Sequence, residues 1–426
     1  MRILRLTPAV EKKLLRARHE RDSEAERVAA RIIADVRTRG DAALAEWTKK
    51  FDGIDLRRTG VRISQDEISA AGKQVSPEFL RAVRHAAKNI RGVAEKQLPR
   101  AWTLQVEAGV TISQLVRPIE AIGCYIPGGG FALVSTLLMT VVPARVAGVN
   151  RITVVCPKSN QELLAAASLL GATQIARVGG AQAIAALAYG TNTIPRVDKI
   201  FGPGNRFVTA AKQLVSSDCA IDLPAGPTEA IVLATKGNAR WIAADLLAQA
   251  EHAPDAGSFL VTPSVKLARA VQQEVRAQLT RFPANNPAHA SIHSTGAILL
   301  ARSLPAACDF SNRFAPEHLS LPDSLGTLLK KITAAGTIFL GPWSAQPFGD
   351  YISGSNHVLP TGGWARTRGG LSAADFVKCV TVQTIERSGF GRLASDAVRL
   401  AKAEGLLAHA HAVQVRDEDS TMKVRG

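Results

Sequence analysis

The stretch Leu246–Pro254, LLAQAEHAP, sets an amide and an imidazole three residues apart, at Gln249 and His252. On a helix that spacing puts both side chains on one face. Two readings stand: a packed, hydrogen-bonded core pair, or half of a metal site. Residues 313–322, RFAPEHLSLP, put Glu317 beside His318. Neighbours on a helix or strand point in different directions, but in a turn after Pro316 both can face one cleft. There a carboxylate and an imidazole can move protons in two different steps. The bland alternative is that the pair caps the next helix. Residues 349–357, GDYISGSNH, offer Asp350 as a ligand or as an Asx-turn residue, with His357 following it. Gln249, His252, Asp350 and one further histidine would make an N/O donor set suited to zinc. Of the nine histidines, His19 and His85 sit on charged helices, and His289 and His293 in a polar connection. No role is assigned to those four. His409 is the remaining one in a suggestive context.

Three glycine-rich segments follow apolar runs and open helices: YIPGGG (125–130), VGGAQ (178–182) and FGPGN (201–205). Glycine lets backbone approach a phosphate, and a helix N-terminus favours an anion. Singly, each is a tight turn. None matches the dinucleotide fingerprint, and no acid stands at the expected offset. Three in one region point to a nucleotide site of unusual form.

These residues need a scaffold. Residues 10–50 read as helices, with a new one starting at Gly40-Asp41, and 78–97 as another, amphipathic helix. From 120 onward short apolar runs alternate with Ala-rich helical segments. The spacing predicts parallel sheets with covering helices in two units, roughly 120–227 and 228–345. Residues 342–372, rich in Gly, Ser, Pro and Asn, read as one long loop, and such loops are usually functional. The tail 373–415 reads as helical, ending in a short AVQVR strand.

Bulk properties exclude several classes. The chain has 426 residues, 46% hydrophobic and 21% charged, as for an ordinary soluble protein with more than one domain. Apolar runs are too short to span a bilayer. The first residues, MRILRLTPAVEKKLL, meet charges early and do not read as a secretory signal, so a cytoplasmic protein is expected. Five cysteines without a CxxC pair argue against a thiolate zinc site or a disulfide framework, and read as buried thiols. The net charge of +16 is dispersed, without a basic arm or an aromatic RNA-binding signature. No nucleic-acid partner and no membrane partner is expected; a DNA gel shift across a salt series tests the first.

In order along the chain stand YIPGG, VGGAQAIAALAYGT, VDKIFGPGN, DLPAGPTE, DLLAQAEH, FAPEHL, GDYISGSNHVLPTGG and EGLLAHAHAV. Together, over about residues 25–415, they resemble the histidinol dehydrogenase family. The resemblance implies an α/β fold of two Rossmann-like parallel-sheet domains with small helical end segments, in an intertwined homodimer with shared active sites. It divides the chain into a helical segment 1–24, a first α/β domain 25–124 plus 228–371 with zinc and catalytic residues, an NAD-binding domain 125–227, and a dimerisation segment 372–426. It implies oxidation of L-histidinol through L-histidinal to L-histidine, the last steps of histidine biosynthesis, with two NAD and one zinc. The implied zinc ligands are Gln249, His252, Asp350 and His409, the last from the partner chain, with Glu251 pointing away and His411 a solvated neighbour. The implied base is His318, and Glu317 activates water. Thr228 and Glu404 match substrate contacts, as do Gln249, His252, His318, Asp350 and His409. Tyr125, Gln182 and Asn205 match NAD contacts. Thr228 departs from the usual serine, and PGGGFALVST is a looser form of its loop. A related zinc/NAD dehydrogenase of another small alcohol, such as a sulfonated diol, and a non-catalytic ligand-binding homologue are therefore the alternatives.

Overall fold

The computed structural model describes residues 1–18, 22–128, 132–172, 174–223, 226–323 and 326–422. His19, Gly129, Gly130 and the Pro224-Ala225 of DLPAGPTE lie outside the described residues. In chain order the strands are β1 Arg2–Arg5, β2 Trp102–Glu107, β3 Val110–Pro118, β4 Ala121–Tyr125, β5 Arg151–Val155, β6 Gln174–Ala176, β7 Lys199–Phe201, β8 Ala220–Ile221, β9 Glu229–Leu233, β10 Gly257–Thr262, β11 Ala297–Leu300, β12 His318–Leu321, β13 Thr337–Leu340 and β14 Val377–Ile385. By contacts the chain divides into two units. One comprises Met1–Gln97 and Ile119–Phe376, the other Leu98–Pro118 and Val377–Gly426.

The larger unit holds two parallel sheets. One runs β6-β5-β4-β7-β8 and the other β1-β11-β10-β9-β12-β13. The expected α/β architecture is therefore present. Strands β4, β9 and β10 are buried along their whole length, because helices cover both faces of a parallel sheet. Alternation sorts the side chains. Ile122 and Cys124 face one cluster with Ile63, Val83 and Ile90, while Ala121 and Tyr125 face another with Ala25, Ile32 and Leu44. The helices Ser23–Arg39, Asp41–Asp52 and Pro77–Gln97 thus bury their apolar faces on the five-stranded sheet. On the six-stranded sheet, Val232, Leu260 and Ile298 face one layer, and Ile231, Leu233, Val261 and Leu319 the other.

The smaller unit is a three-stranded antiparallel sheet, β14-β3-β2, with helices Arg387–Ala403 and Leu407–Met422. It corrects three expectations. Residues 377–385, VKCVTVQTI, are a strand rather than a helix, since β-branched alternating residues suit a pleat once β3 is there to pair with them. Residues 412–416, AVQVR, are helical rather than extended; among the described residues no strand pairs with them, and the helix that starts at Leu407 runs through them. Cys379, on this open sheet, is exposed, whereas Cys124, Cys156, Cys219 and Cys308 are buried thiols as expected.

The chain's start is likewise not wholly helical. Arg2–Arg5 forms β1, paired with β11 some 290 residues away in register. The long loop 342–372 contains a short helix, Gln346–Tyr351, opened by a proline in its first turn. No helix among the described residues is long and apolar enough to cross a membrane.

Candidate active site

Glu317 and Thr228 each stand one residue before a strand, β12 and β9 respectively, and those strands are parallel neighbours. The register His318↔Ala230 sets the two approach loops side by side at the amino ends of the strands. The chain reaches Glu317 through Ala315, the one described non-glycine residue with positive φ, at 51°. That left-handed residue ends the helix Leu304–Phe314 and turns Pro316-Glu317 out of it.

The Thr228 hydroxyl donates to Glu317 Oε2 at 2.5 Å, and the Glu229 N–H donates to the same oxygen at 3.0 Å. Gln249 Nε2 donates to Thr228 Oγ1 at 2.8 Å, and Gln346 Nε2 donates to Gln249 Oε1 at 2.6 Å. The bonds thus run in one direction, from the Gln346 amide through Gln249 and Thr228 to Glu317. Gln249 lies in the last turn of the helix Ala239–Ala250 and is fully buried. Pro254 forbids the helix to continue far beyond. His252, just past the end, is exposed. Its Nδ1 meets the Ala248 carbonyl at 3.1 Å. A proton on Nδ1 leaves Nε2 with a free lone pair, the form a metal takes. Glu251 turns to Asn286, whose Nδ2 donates to Oε1 at 2.6 Å.

His318 is buried and both its ring nitrogens lack a hydrogen-bond partner. Glu317 Oε2 lies 3.7 Å from Nδ1, and Asp350 Oδ1 lies 3.9 Å from Nε2. Burial, then the nearby His252, holds the imidazole down at about 3, so it is neutral. Burial pushes Glu317 up to about 8, against its bonds from Thr228 and Glu229. Burial also raises Asp350 to about 6, with His252 opposing. The neutral His318 imidazole and the carboxyl groups of Glu317 and Asp350 thus stand close together in a buried place.

The structure also supplies supports that the sequence reading missed. Glu229 is buried under the site and bridged by Arg18, whose Nε donates to Oε2 at 2.7 Å. The Arg18 guanidinium lies 3.7 Å from the centre of the Phe314 ring. A charge opening the apolar run EAIVLA was the available signal, since a buried acid needs a partner. His357 is no ligand here. Its Nδ1 meets the Asp350 carbonyl at 3.0 Å and its Nε2 meets Thr136 Oγ1 at 3.2 Å, so it anchors the loop that carries Asp350. Gln346 carried no signal.

Among the described residues no group of three or more His, Cys, Asp or Glu side chains is close enough to hold a metal. The larger unit offers His252 and Asp350 with the Gln249 amide. The Asp350 carboxyl, which takes no protein N–H closer than His318 at 3.9 Å among the described residues, and the His252 Nε2 suit a divalent cation with mixed N/O ligands. Glu404 and His409 belong to the smaller unit and are both exposed: Glu404 caps one helix C-terminus, and His409 lies in the first turn of the next helix.

At the carboxyl ends of the other sheet, the Tyr125 hydroxyl accepts the Gly180 N–H at 3.1 Å. Gln182 is buried beside it. Asn205 caps the helix Arg206–Val215, accepting from Phe207 and Val208 at 3.0 and 3.1 Å. Gly202, at φ +109°, holds the preceding turn; a Cβ there would stand 2.2 Å from the Tyr125 carbonyl. The buried pair Lys212–Asp222 takes both ends of the Gly202 residue, its C=O at 2.8 Å and its N–H at 2.7 Å.

The sequence model of histidinol dehydrogenase matches residues 15–417. The histidinol dehydrogenase of Methanothermobacter thermautotrophicus is 47% identical over 397 residues, 92% of this chain and 93% of that one. The enzyme of Methanosarcina barkeri is 45% identical over 396 residues, 90% of each chain. The crystal structure of histidinol dehydrogenase from Elizabethkingia anophelis superposes with a TM-score of 0.92 at 38% identity, covering 99% of both chains.

Proposed function

This chain belongs to the histidinol dehydrogenase family of NAD-dependent oxidoreductases, and from that premise we propose that it oxidises L-histidinol to L-histidine through L-histidinal, with two NAD and one zinc. The observation that carries this reading is the joining of Thr228, Gln249, Glu317, His318 and Asp350 at one end of the six-stranded sheet. In this reading 228–371 carries the zinc and catalytic residues, 125–227 takes the dinucleotide, and 372–426 makes the dimer contact.

Gln249, His252 and Asp350 would hold the zinc, with His409 of the partner subunit as fourth ligand. Bound there, zinc would supply orientation, holding the substrate so that its carbinol carbon could face NAD. The neutral His318 imidazole takes the alcohol proton. The imidazolium so formed lies 3.9 Å from Asp350 Oδ1, whose charge offsets part of the cost of its burial. Glu317, with a pKa raised toward the working pH, then takes a proton from water attacking the aldehyde. Thr228 holds the Glu317 carboxyl with a hydroxyl, as serine would, and its extra methyl narrows the same spot. Tyr125, Gln182 and Asn205 contact NAD, and Glu404 contacts substrate from the partner chain.

Exposed apolar side chains on the smaller unit support a dimer. Trp102, Leu104 and Val106 on β2, Val380, Val382 and Ile385 on β14, and Leu400 and Leu407 on its helices are all open to solvent. Those on the strands lie on both faces of the sheet, Trp102 and Leu104 on one with Thr381 and Gln383, Val380 and Val382 on the other with Thr103, and exposed apolar side chains of this kind mark interaction surfaces.

Two measurements test this function. With L-histidinol as sole substrate, NADH should accumulate at about two per substrate consumed, by the four-electron balance of an alcohol carried to an acid. A ratio of one with aldehyde building up refutes the double oxidation, and turnover only on another alcohol moves the chain to a sister activity. Elemental analysis should find about one zinc per chain. His252→Ala should lose both metal and activity while its circular dichroism is unchanged; a metal-free preparation with full activity would remove zinc from the scheme.

A further inference from the structure

The carboxyl ends of β4, β5 and β6 crowd together. Pro157, just past β5, is wedged between two glycine turns: a Cβ on Gly128 would come 2.8 Å from its ring, and one on Gly179 2.6 Å. In a doubly wound sheet, an acid after the second strand bonds the adenosine ribose, and a basic residue there accommodates a 2′-phosphate. With β4 as the first strand, the second is β5. It is followed by Cys156, Pro157 and Lys158, with no acid before Glu162.

The acid at this spot comes from another element. Asp52 ends the helix Asp41–Asp52, which packs on the same sheet. Its Oδ2 accepts from Gln182 Nε2 at 3.3 Å. Gln182 is fully buried, and its own Oε1 has no hydrogen-bond partner. Asp52 is half-buried. Lys158 is near enough for its ammonium to oppose the rise that burial imposes on the Asp52 carboxyl, and the charge of Asp52 reaches Tyr125 and Cys156. One acceptor without a donor, Gln182 Oε1, and the half-buried Asp52 carboxyl thus stand beside the glycine turn that opens the helix Gly180–Tyr189. A ribose with free 2′- and 3′-hydroxyls supplies two donors. A 2′-phosphate supplies none when ionised and brings like charge against Asp52.

We propose that Asp52, together with Gln182, receives the adenosine ribose hydroxyls of NAD and excludes a 2′-phosphate, so that cofactor choice in this enzyme is set by a residue outside the sheet. This rests on reading the five-stranded sheet as the NAD site. Lys158 sharpens the expectation. With Asp52 neutralised, the nearby charge of the exposed Lys158 ammonium is uncompensated and favours the phosphate.

The experiment is calorimetric binding of 5′-AMP and 2′,5′-ADP to the full-length protein, alongside kcat/KM for NAD and NADP. The wild type should prefer 5′-AMP and NAD. Asp52→Asn, nearly isosteric, should weaken 5′-AMP roughly 10-fold, as expected for loss of a charged hydrogen bond, and should tighten 2′,5′-ADP. The NADP/NAD ratio of kcat/KM should rise in step. Adding Lys158→Ala should cancel the gain for the 2′-phosphate while leaving 5′-AMP near its single-variant value. If Asp52→Asn weakens both nucleotides in proportion, or neither, Asp52 only supports Gln182 and the proposal is overturned. Asn205→Ala separates the two levels of failure. A raised KM for NAD there, with the Asp52→Asn ratio unmoved, rejects Asp52 alone. No change in either rejects the cofactor site and the proposal together.

Discussion

His318→Asn is expected to slow both oxidations by roughly 100- to 10,000-fold, the usual worth of a positioned proton acceptor. Each step must lose a proton, from the alcohol and then from the hydrated aldehyde. His318 is a neutral imidazole that already has both nitrogens free of protein partners. Asparagine keeps the polarity but cannot accept that proton. Glu317→Gln should behave differently. It should spare the first oxidation and slow the second, because only the second consumes water. Glutamine can still accept from Thr228 and from the Glu229 N–H through its amide oxygen, so the hydrogen bonds seen at Glu317 are largely kept. The measurement is single-turnover NADH formation with a carbonyl reagent present to trap the aldehyde. Trapped aldehyde in Glu317→Gln, and none from His318→Asn, is the expected pattern. Equal loss of both steps in Glu317→Gln would reduce Glu317 to a residue that orients its neighbour.

The second large effect is restoration of activity from two dead proteins. His409→Ala and His252→Ala should each be inactive alone, and a mixture allowed to exchange subunits should regain turnover. If each zinc takes His409 from the partner, a mixed dimer has one site with both lesions and one with neither. Roughly half the wild-type activity per mixed dimer should then return, since distant sites act independently. The smaller unit gives the physical motive. Its sheet leaves Trp102, Leu104 and Val380 exposed, and it buries few side chains of its own. A module so short of core needs an external surface. Exchange is confirmed by mass spectrometry of differently labelled subunits. With exchange confirmed and activity still absent, His409 serves its own chain or no metal at all.

Much of the candidate site was legible because its signals are local. The proline at 254 limits how far the helix can run whatever packs against it, but the helix ends at Ala250, so Gln249 lies on it and His252 just beyond rather than both on one helical face. The βα alternation from 120 to 345 follows from short apolar runs broken by glycine, and a two-faced burial pattern needs no knowledge of strand order. Eight motifs in sequence were enough to indicate the family. Tertiary structure decided the rest, because it depends on residues far apart in the chain. β14 became a strand only through pairing with β3, from Val377↔Pro118 to Ile385↔Val110, whereas AVQVR, equally rich in valine, found no ladder and stayed helical. Parallel neighbours β9 and β12 brought Thr228 to Glu317 across 89 residues, at the amino ends of the strands, which no periodicity specifies. Arg18 reached Glu229 across 211 residues, and Asp52 reached Gln182 across 130. Protonation was decided last. Sequence names Glu317 and His318 as titrating groups, but only burial among other polar side chains raises one to about 8 and lowers the other to about 3, because the cost of a charge depends on the atoms packed around it.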